Sequence, residues 1–213
     1  PQKYIPSNYA VGADWSAASY WYLMAALSEQ AEFILKKISM HSAQGDKKIA
    51  EIMRFFDVIT EIKGDDILIT KYGSGRSDYG DKSFCMDFRN YPDLVPSVAA
   101  CCAALIVAAE LSGLENLRIK ESDRLQSLCQ ELNKLAMDVY ISGNSLVLSP
   151  SSDKKIQQPL IFNTYEDHRM AMALAPLALK YEEVTIENPE VVSKSYPGFW
   201  QDLAAVGFRI ENS

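Results

Sequence analysis

Arg54-Phe-Phe-Asp-Val-Ile-Thr-Glu-Ile-Lys-Gly-Asp65, Leu135-Ala-Met-Asp-Val-Tyr-Ile-Ser-Gly-Asn144 and Ala205-Val-Gly-Phe-Arg-Ile-Glu-Asn212 set the same joint at three points of the chain. In each, a helix gives way to an alternating strand that leads into a turn. Gly64-Asp65 and Gly143-Asn144 are turn dipeptides of the kind that joins antiparallel strands. Outward from the first joint, helix is expected over 17–28, strand over 31–38, helix over 46–56 and hairpin strands over 58–62 and 67–70. A short strand from Tyr9 precedes them, and Asp14 or Ser16 can cap the helix that follows. The second joint has strand at 84–88, a long apolar helix at 93–109, strand at 114–119, helix from Ser122 and hairpin strands at 138–141 and 146–148. The third has strand at 160–162, helix at 167–179, strand at 184–187, helix at 197–206 and strand at 208–210. The expected architecture is α/β, one domain of three strand-helix-strand-helix-hairpin units at about 1–75, 80–150 and 157–213. Right-handed crossovers would gather equivalent helix N-termini on one face, where chemistry is expected.

Composition narrows the function. The 213 residues are 48% hydrophobic and 23% charged, enough for a substantial core. A net charge of -7 excludes a broad nucleic-acid-binding face, so any anion site must be local. No apolar run approaches a membrane span and no signal-peptide layout opens the chain, so a soluble cytoplasmic protein is expected. Cys85, Cys101, Cys102 and Cys129 show no Cys-x-x-Cys spacing, and three of them fall in apolar helical runs. They read as buried reduced thiols. With only His41 and His168 beside them, no metal centre is expected.

Charge concentrates where the pattern places helix starts. Asn116-Leu-Arg-Ile-Lys-Glu-Ser-Asp-Arg-Leu125 precedes the stripe Leu125, Leu128, Leu132 and Leu135. Two readings fit it: a helix start whose acids complement the macrodipole while Lys and Arg pair locally, or an anion site. Asp93, after Pro92, reads either as an N-cap or as a functional carboxylate. Arg169 is unfavourably placed at the positive end of a helix, which points to a bound anion or to a salt bridge with Asp167. Lys194 is either a solvated lysine or a fourth cation of the same face. Lys120, Arg124, Arg169 and Lys194 with Asp93 and Glu121 suit a small substrate carrying several negative groups, whose reaction also moves a proton. The Gly73-Ser-Gly-Arg-Ser77 run reads as a flexible loop rather than a phosphate cradle.

Lys120-Glu-Ser-Asp-Arg-Leu125, Asp167-His-Arg-Met-Ala-Met-Ala173, Ser193-Lys-Ser-Tyr-Pro-Gly-Phe199, Tyr91-Pro-Asp93 and Asp14-x-Ser-x-Ala-Ser-Tyr20 occur in the order found in one family. The chain resembles the 5-enolpyruvylshikimate-3-phosphate (EPSP) synthase family. The related enolpyruvyl transferase acting on UDP-N-acetylglucosamine is a weaker match. The resemblance implies an inside-out α/β barrel of three repeats, one of two similar domains that close over a site between them. It covers the carboxy-terminal domain, so the amino-terminal domain, with its lysine, arginine, serine and glutamine contacts, is expected to be absent and to be the missing partner. The family also threads its first residues into this domain, which implies an unpaired edge. The implied reaction joins the 5-hydroxyl of shikimate 3-phosphate to C2 of phosphoenolpyruvate, with protonation at C3, and then eliminates phosphate. By resemblance, Asp93 binds the shikimate hydroxyls and takes the 5-hydroxyl proton, and Asn116 and Lys120 hold shikimate 3-phosphate. Arg124 and Arg169 clamp the phosphoenolpyruvate carboxylate, Glu121 carries the proton at C3, and Lys194 neutralises the departing phosphate. Neither cofactor, nucleic acid nor membrane is implied, and a monomer is expected. Ser122, Trp15 and Leu94-Val95-Pro96 depart from the family pattern without removing a charge. A non-catalytic anion-binding or interaction domain on the same fold is the alternative.

Overall fold

The structure, a computed structural model, describes residues 12–73, 79, 82–156 and 158–211. The strand expected from Tyr9 and most of the loop after Gly73 lie outside the described residues. The elements run α1 (Trp15–Leu27), β1 (Ala31–Leu35), α2 (Ile49–Ile52), β2 (Ile59–Lys63), β3 (Asp66–Lys71), β4 (Ser83–Asp87), α3 (Val95–Ala104) and β5 (Ala108–Ser112). They continue as α4 (Arg124–Leu132), β6 (Met137–Ser142), β7 (Ser145–Pro150), β8 (Leu160–Phe162), α5 (His168–Leu174), β9 (Val184–Ile186) and α6 (Phe199–Ala205).

Three helices form the middle of the protein. α1 packs on α3, and α5 touches both. Their sequences explain this, because α1 and α3 are apolar all round and therefore have no face to offer water. Alanines and serines allow close approach, and Ser19 and Ser97 share a buried hydrogen bond of 2.9 Å where α1 meets α3. The sheets lie outside these helices. β1, β3 and β2 form one antiparallel sheet in the order 1-3-2, and β4, β5, β7 and β6 form a second in the order 4-5-7-6. β8 and β9 pair in parallel, as β4 and β5 do, and the antiparallel order β1-β3-β2 recurs as β5-β7-β6. Gly64 and Gly143 take left-handed φ values of 67° and 61° in the two hairpin turns, a conformation glycine adopts without strain.

Several boundaries differ from the pattern reading. The helix expected over 93–109 ends at Ala104, because Ile106 turns left-handed at φ 56°. Residues 108–112 then form a strand whose Ala109 and Leu111 face the core. An unbroken apolar run satisfies either period, so the sequence alone did not separate helix from strand there. The strand expected over 114–119 is a 3₁₀ turn, Glu115–Ile119, with Leu114 and Leu117 buried three apart and Ile119 exposed. Gly113 is the pivot: a Cβ there would stand 2.9 Å from the Arg89 backbone nitrogen, and its φ is 72°. The helix expected over 46–56 is the short α2 between two 3₁₀ turns, and α5 also passes into a 3₁₀ turn at Ala175. Residues 208–210 form no strand, and among the described residues β9 keeps a free edge.

At the end of α1 away from Asp14, Lys71 is buried and donates 2.6 Å to the Ala26 carbonyl. Burial pushes its pKa down, while the terminal carbonyl and the helix dipole favour the cation.

Candidate active site

The N-terminal ends of the central helices meet at one place. Asp14 caps α1 by accepting from the Ser16 amide, and Asp167 caps α5 by accepting from the Arg169 amide at 2.9 Å. Asp93 does not cap α3, since it lies in the 3₁₀ turn Pro92–Leu94 before that helix begins. Its carboxylate is therefore free for side chains. Lys120 stands 3.2 Å from Asp93 Oδ1, Arg124 Nη1 donates to the same oxygen at 3.1 Å, and Arg169 Nη2 donates to Oδ2 at 3.1 Å. The salt-bridge partner of Arg169 is thus Asp93, and Asp167 receives only its backbone amide.

Arg124 is the centre of the arrangement. It has no solvent exposure, and its Nε and Nη2 donate to the two oxygens of Asp167 at 2.7 and 3.2 Å. Nη2 also donates to Glu121. Three carboxylates thus surround one guanidinium whose planar fork can serve them together. The helix expected to begin at Ser122 begins at Arg124, capped by Asp123, so Lys120 and Glu121 lie in the bend that precedes it.

Charges set the protonation preferences. Burial alone would raise the Asp93 pKa, but Arg169, Lys120 and Arg124 together hold it below the usual carboxylate range. Burial opposes the Arg169 cation, yet Tyr20, Asp93 and Asp46 around it keep its pKa above the ordinary value. Asp46 goes the other way from Asp93: burial raises its pKa, although the Ser16 hydroxyl donates to it and Arg169 is near. His168 is pushed down by burial and then by Arg169, which favours neutral imidazole. Its buried Nδ1 has no hydrogen-bond partner among the described residues and lies 3.8 Å from Glu121 Oε1.

Of the residues expected at the site, the structure brings Asp93, Lys120, Glu121, Arg124 and Arg169 into one ion-pair network. Asn116 is exposed on its 3₁₀ turn, and the exposed Lys194 donates 2.7 Å to the Glu166 carbonyl, so neither is bonded into that network. The sequence pattern offers Asp167 only as a partner for Arg169 and gives Asp46 and His168 no role. Gln44-Gly45-Asp46 at a helix start offered a signal for Asp46. Gln44 now straps that loop to α1, accepting from the Trp15 amide at 2.8 Å and donating to the Ala13 carbonyl at 2.9 Å.

A family model described as EPSP synthase (3-phosphoshikimate 1-carboxyvinyltransferase) matches residues 1–203. The chain belongs to the EPSP synthase family. A 3-phosphoshikimate 1-carboxyvinyltransferase of Bacteroides fragilis is 42% identical over 99% of the chain and 50% of the relative's length. One from Methanocaldococcus jannaschii is 32% identical over 99% of the chain and 47% of its own length. The chain thus spans about half the length of the curated relatives it matches. An EPSP synthase structure from Acinetobacter baumannii superposes with a TM-score of 0.73 at 24% identity, covering 94% of this chain and 47% of the other. That likeness bears on fold, and the mixed α/β architecture is consistent with the EPSP synthase fold.

Proposed function

We propose that this chain supplies one wall of an enolpyruvyl transferase site, where the 5-hydroxyl of shikimate 3-phosphate attacks C2 of phosphoenolpyruvate and phosphate leaves. The observation that carries this reading is Asp93 held between Lys120, Arg124 and Arg169 at the meeting point of the central helices, in a chain of this family. The substrate oxygen bonds C2 as its proton passes to Asp93, and C3 gains a proton through Glu121. Loss of the C3 proton then expels phosphate, whose charge Lys194 meets. Asn116 and Lys120 hold shikimate 3-phosphate, and Arg169 with Arg124 receives the phosphoenolpyruvate carboxylate.

The ion pairs give this scheme a physical basis. A carboxylate flanked by three cations is a weak base. An incoming anion that draws Arg169 and Lys120 away from Asp93 raises its affinity for a proton, so binding prepares the base. Arg124 is already engaged by Asp167, Glu121 and Asp93 and has no solvent exposure, which makes Arg169 the accessible part of the clamp and Arg124 its buried support.

The chain is taken as one domain of three units, supported by the recurrence of β5-β7-β6 as β1-β3-β2 and of β4-β5 as β8-β9. A second domain of the same enzyme is the expected partner, and the enzyme is read as a cytoplasmic monomer. Among the described residues no helix is long and apolar enough to cross a membrane. Phosphate release from phosphoenolpyruvate and shikimate 3-phosphate tests the proposal. The chain joined to its second domain should turn over, whereas the chain alone should not, because an open wall leaves both substrates in water. Binding without turnover by the complete protein would favour a non-catalytic anion-binding domain instead.

A further inference from the structure

Glu131 lies on α4, two turns beyond Arg124, and is only 1% exposed. A buried carboxylate is costly unless its lone pairs are satisfied, and here they are. Oε1 accepts from the Tyr165 hydroxyl at 2.6 Å, while Oε2 accepts from the Asn163 amide at 3.0 Å and from Lys134 at 2.5 Å. Lys134 also donates 2.6 Å to the Ile161 carbonyl. An i, i+3 ion pair with Lys134 could form equally well in water. The bonds that need burial all go to the segment joining β8 to α5.

That segment has an unfavourable backbone. Tyr165 and Glu166 are consecutive left-handed residues with φ 52° and 57°, and neither is glycine. Such a conformation persists only where the surroundings over-determine it. The residues it presents are the ones the site uses. Asp167 grips Arg124, Arg169 reaches Asp93, and the Glu166 carbonyl receives Lys194. α4 therefore holds the loop through Arg124 at its first residue and, two turns on, through Glu131, beside which Gln130 Oε1 also accepts from the Tyr165 hydroxyl at 2.8 Å.

We propose that Glu131 is a positioning residue: by fixing Asn163 and Tyr165 it holds the left-handed turn that sets Asp167 against Arg124 and Arg169 against Asp93 and that anchors Lys194. The choice of ligand probe rests on the proposed function, whereas the loop measurement does not. The test measures hydrogen exchange of amides 163–169 and titrations with phosphoenolpyruvate and with shikimate 3-phosphate, on the full chain carrying Glu131→Ala, Glu131→Gln or Tyr165→Phe. Glu131→Ala should speed exchange in that loop and weaken phosphoenolpyruvate binding by roughly tenfold or more, since small displacements of a positioned group have effects of that order. Binding of shikimate 3-phosphate should change by about twofold at most, because Lys120 and Asn116 lie off the loop. Glutamine can accept from Asn163 and donate to the Tyr165 hydroxyl, so Glu131→Gln should recover most of the loss. Tyr165→Phe should show an intermediate effect in a folded protein. Unchanged loop exchange in a folded Glu131→Ala or in Tyr165→Phe would overturn the proposal, as would equal losses for both ligands in proportion to lost stability. If Glu131→Ala does not fold, Tyr165→Phe and Glu131→Gln decide alone. Failure of the unsubstituted chain to bind phosphoenolpyruvate would count against the proposed function and leave loop exchange to judge Glu131.

Discussion

Arg124 and Arg169 carry the same charge, face the same carboxylate and share one task by family resemblance, yet they occupy opposite situations. Arg124 is wholly buried and shared among Asp167, Glu121 and Asp93. Arg169 retains 15% side-chain exposure and has Asp93 as its ion-pair partner within the network. One arginine is built into the fold, whereas the other remains available. Being near a site and being free to bind there are separate properties, and the number of internal acceptors distinguishes them.

The largest expected effect breaks the buried member. Arg124→Ala leaves Asp167 buried without its cation and should cost about 3–5 kcal/mol in denaturant unfolding, with lysine a poor rescue because it lacks the fork. A loss below about 1 kcal/mol would show that the carboxylates relax to water and that Arg124 is no hub. Next, Arg169→Ala should weaken phosphoenolpyruvate binding by about tenfold or more, measured calorimetrically, as expected for loss of a charge-assisted contact. The same substitution should change stability by roughly 1 kcal/mol or less, since Asp93 keeps Lys120 and Arg124. Equal damage to stability from both substitutions would erase the distinction between them.

Acid should expose the carboxylate between the two arginines. The folded pKa of Asp93 lies below its unfolded value, so its contribution is present above the unfolded pKa and lost as pH falls through the folded one. His168 adds in the same direction at higher pH. Its depressed folded pKa means that the unfolded state takes up the proton first, so stability declines as pH drops below the ordinary histidine range. Unfolding midpoints followed against pH should show a shallower acid decline for Asp93→Asn. Asp46 has the opposite sign, with a raised folded pKa that disfavours the native state once it ionises. Asp46→Asn should accordingly leave neutral-pH stability unchanged or higher, and a clear loss would mean that its charge is needed by Arg169. The smallest effect belongs to Lys194→Ala, within about 0.5 kcal/mol of the parent because the side chain is exposed.

Much of the fold was legible because its signals are local. The two hairpins follow from alternation around Gly64 and Gly143, and the central place of α1 and α3 follows from sequences with no polar face. The error at 105–119 has a physical cause: an apolar run is compatible with helix and strand alike, and the break came from a left-handed Ile106 that composition does not announce. Of the site, the residue types and their helix starts could be read, and five of the expected side chains do converge. Asp167 reads in sequence only as a salt-bridge partner for its neighbour Arg169, whereas in the fold it caps α5 and grips Arg124 from the far side of the chain.

The sequence by itself determined the order of elements, the apolar helices that must be central, and the charged stretches that begin at their ends, because periodicity and capping act over a few residues. Only the tertiary structure decided which arginine is consumed by the fold, that Asp93 is flanked by three cations, and that Glu131 braces the turn before Asp167. Those outcomes depend on partners far apart in the chain, 43 residues for Arg124 with Asp167 and 76 for Arg169 with Asp93. A charge's environment at that separation is set by how the helices pack, and no local pattern encodes it.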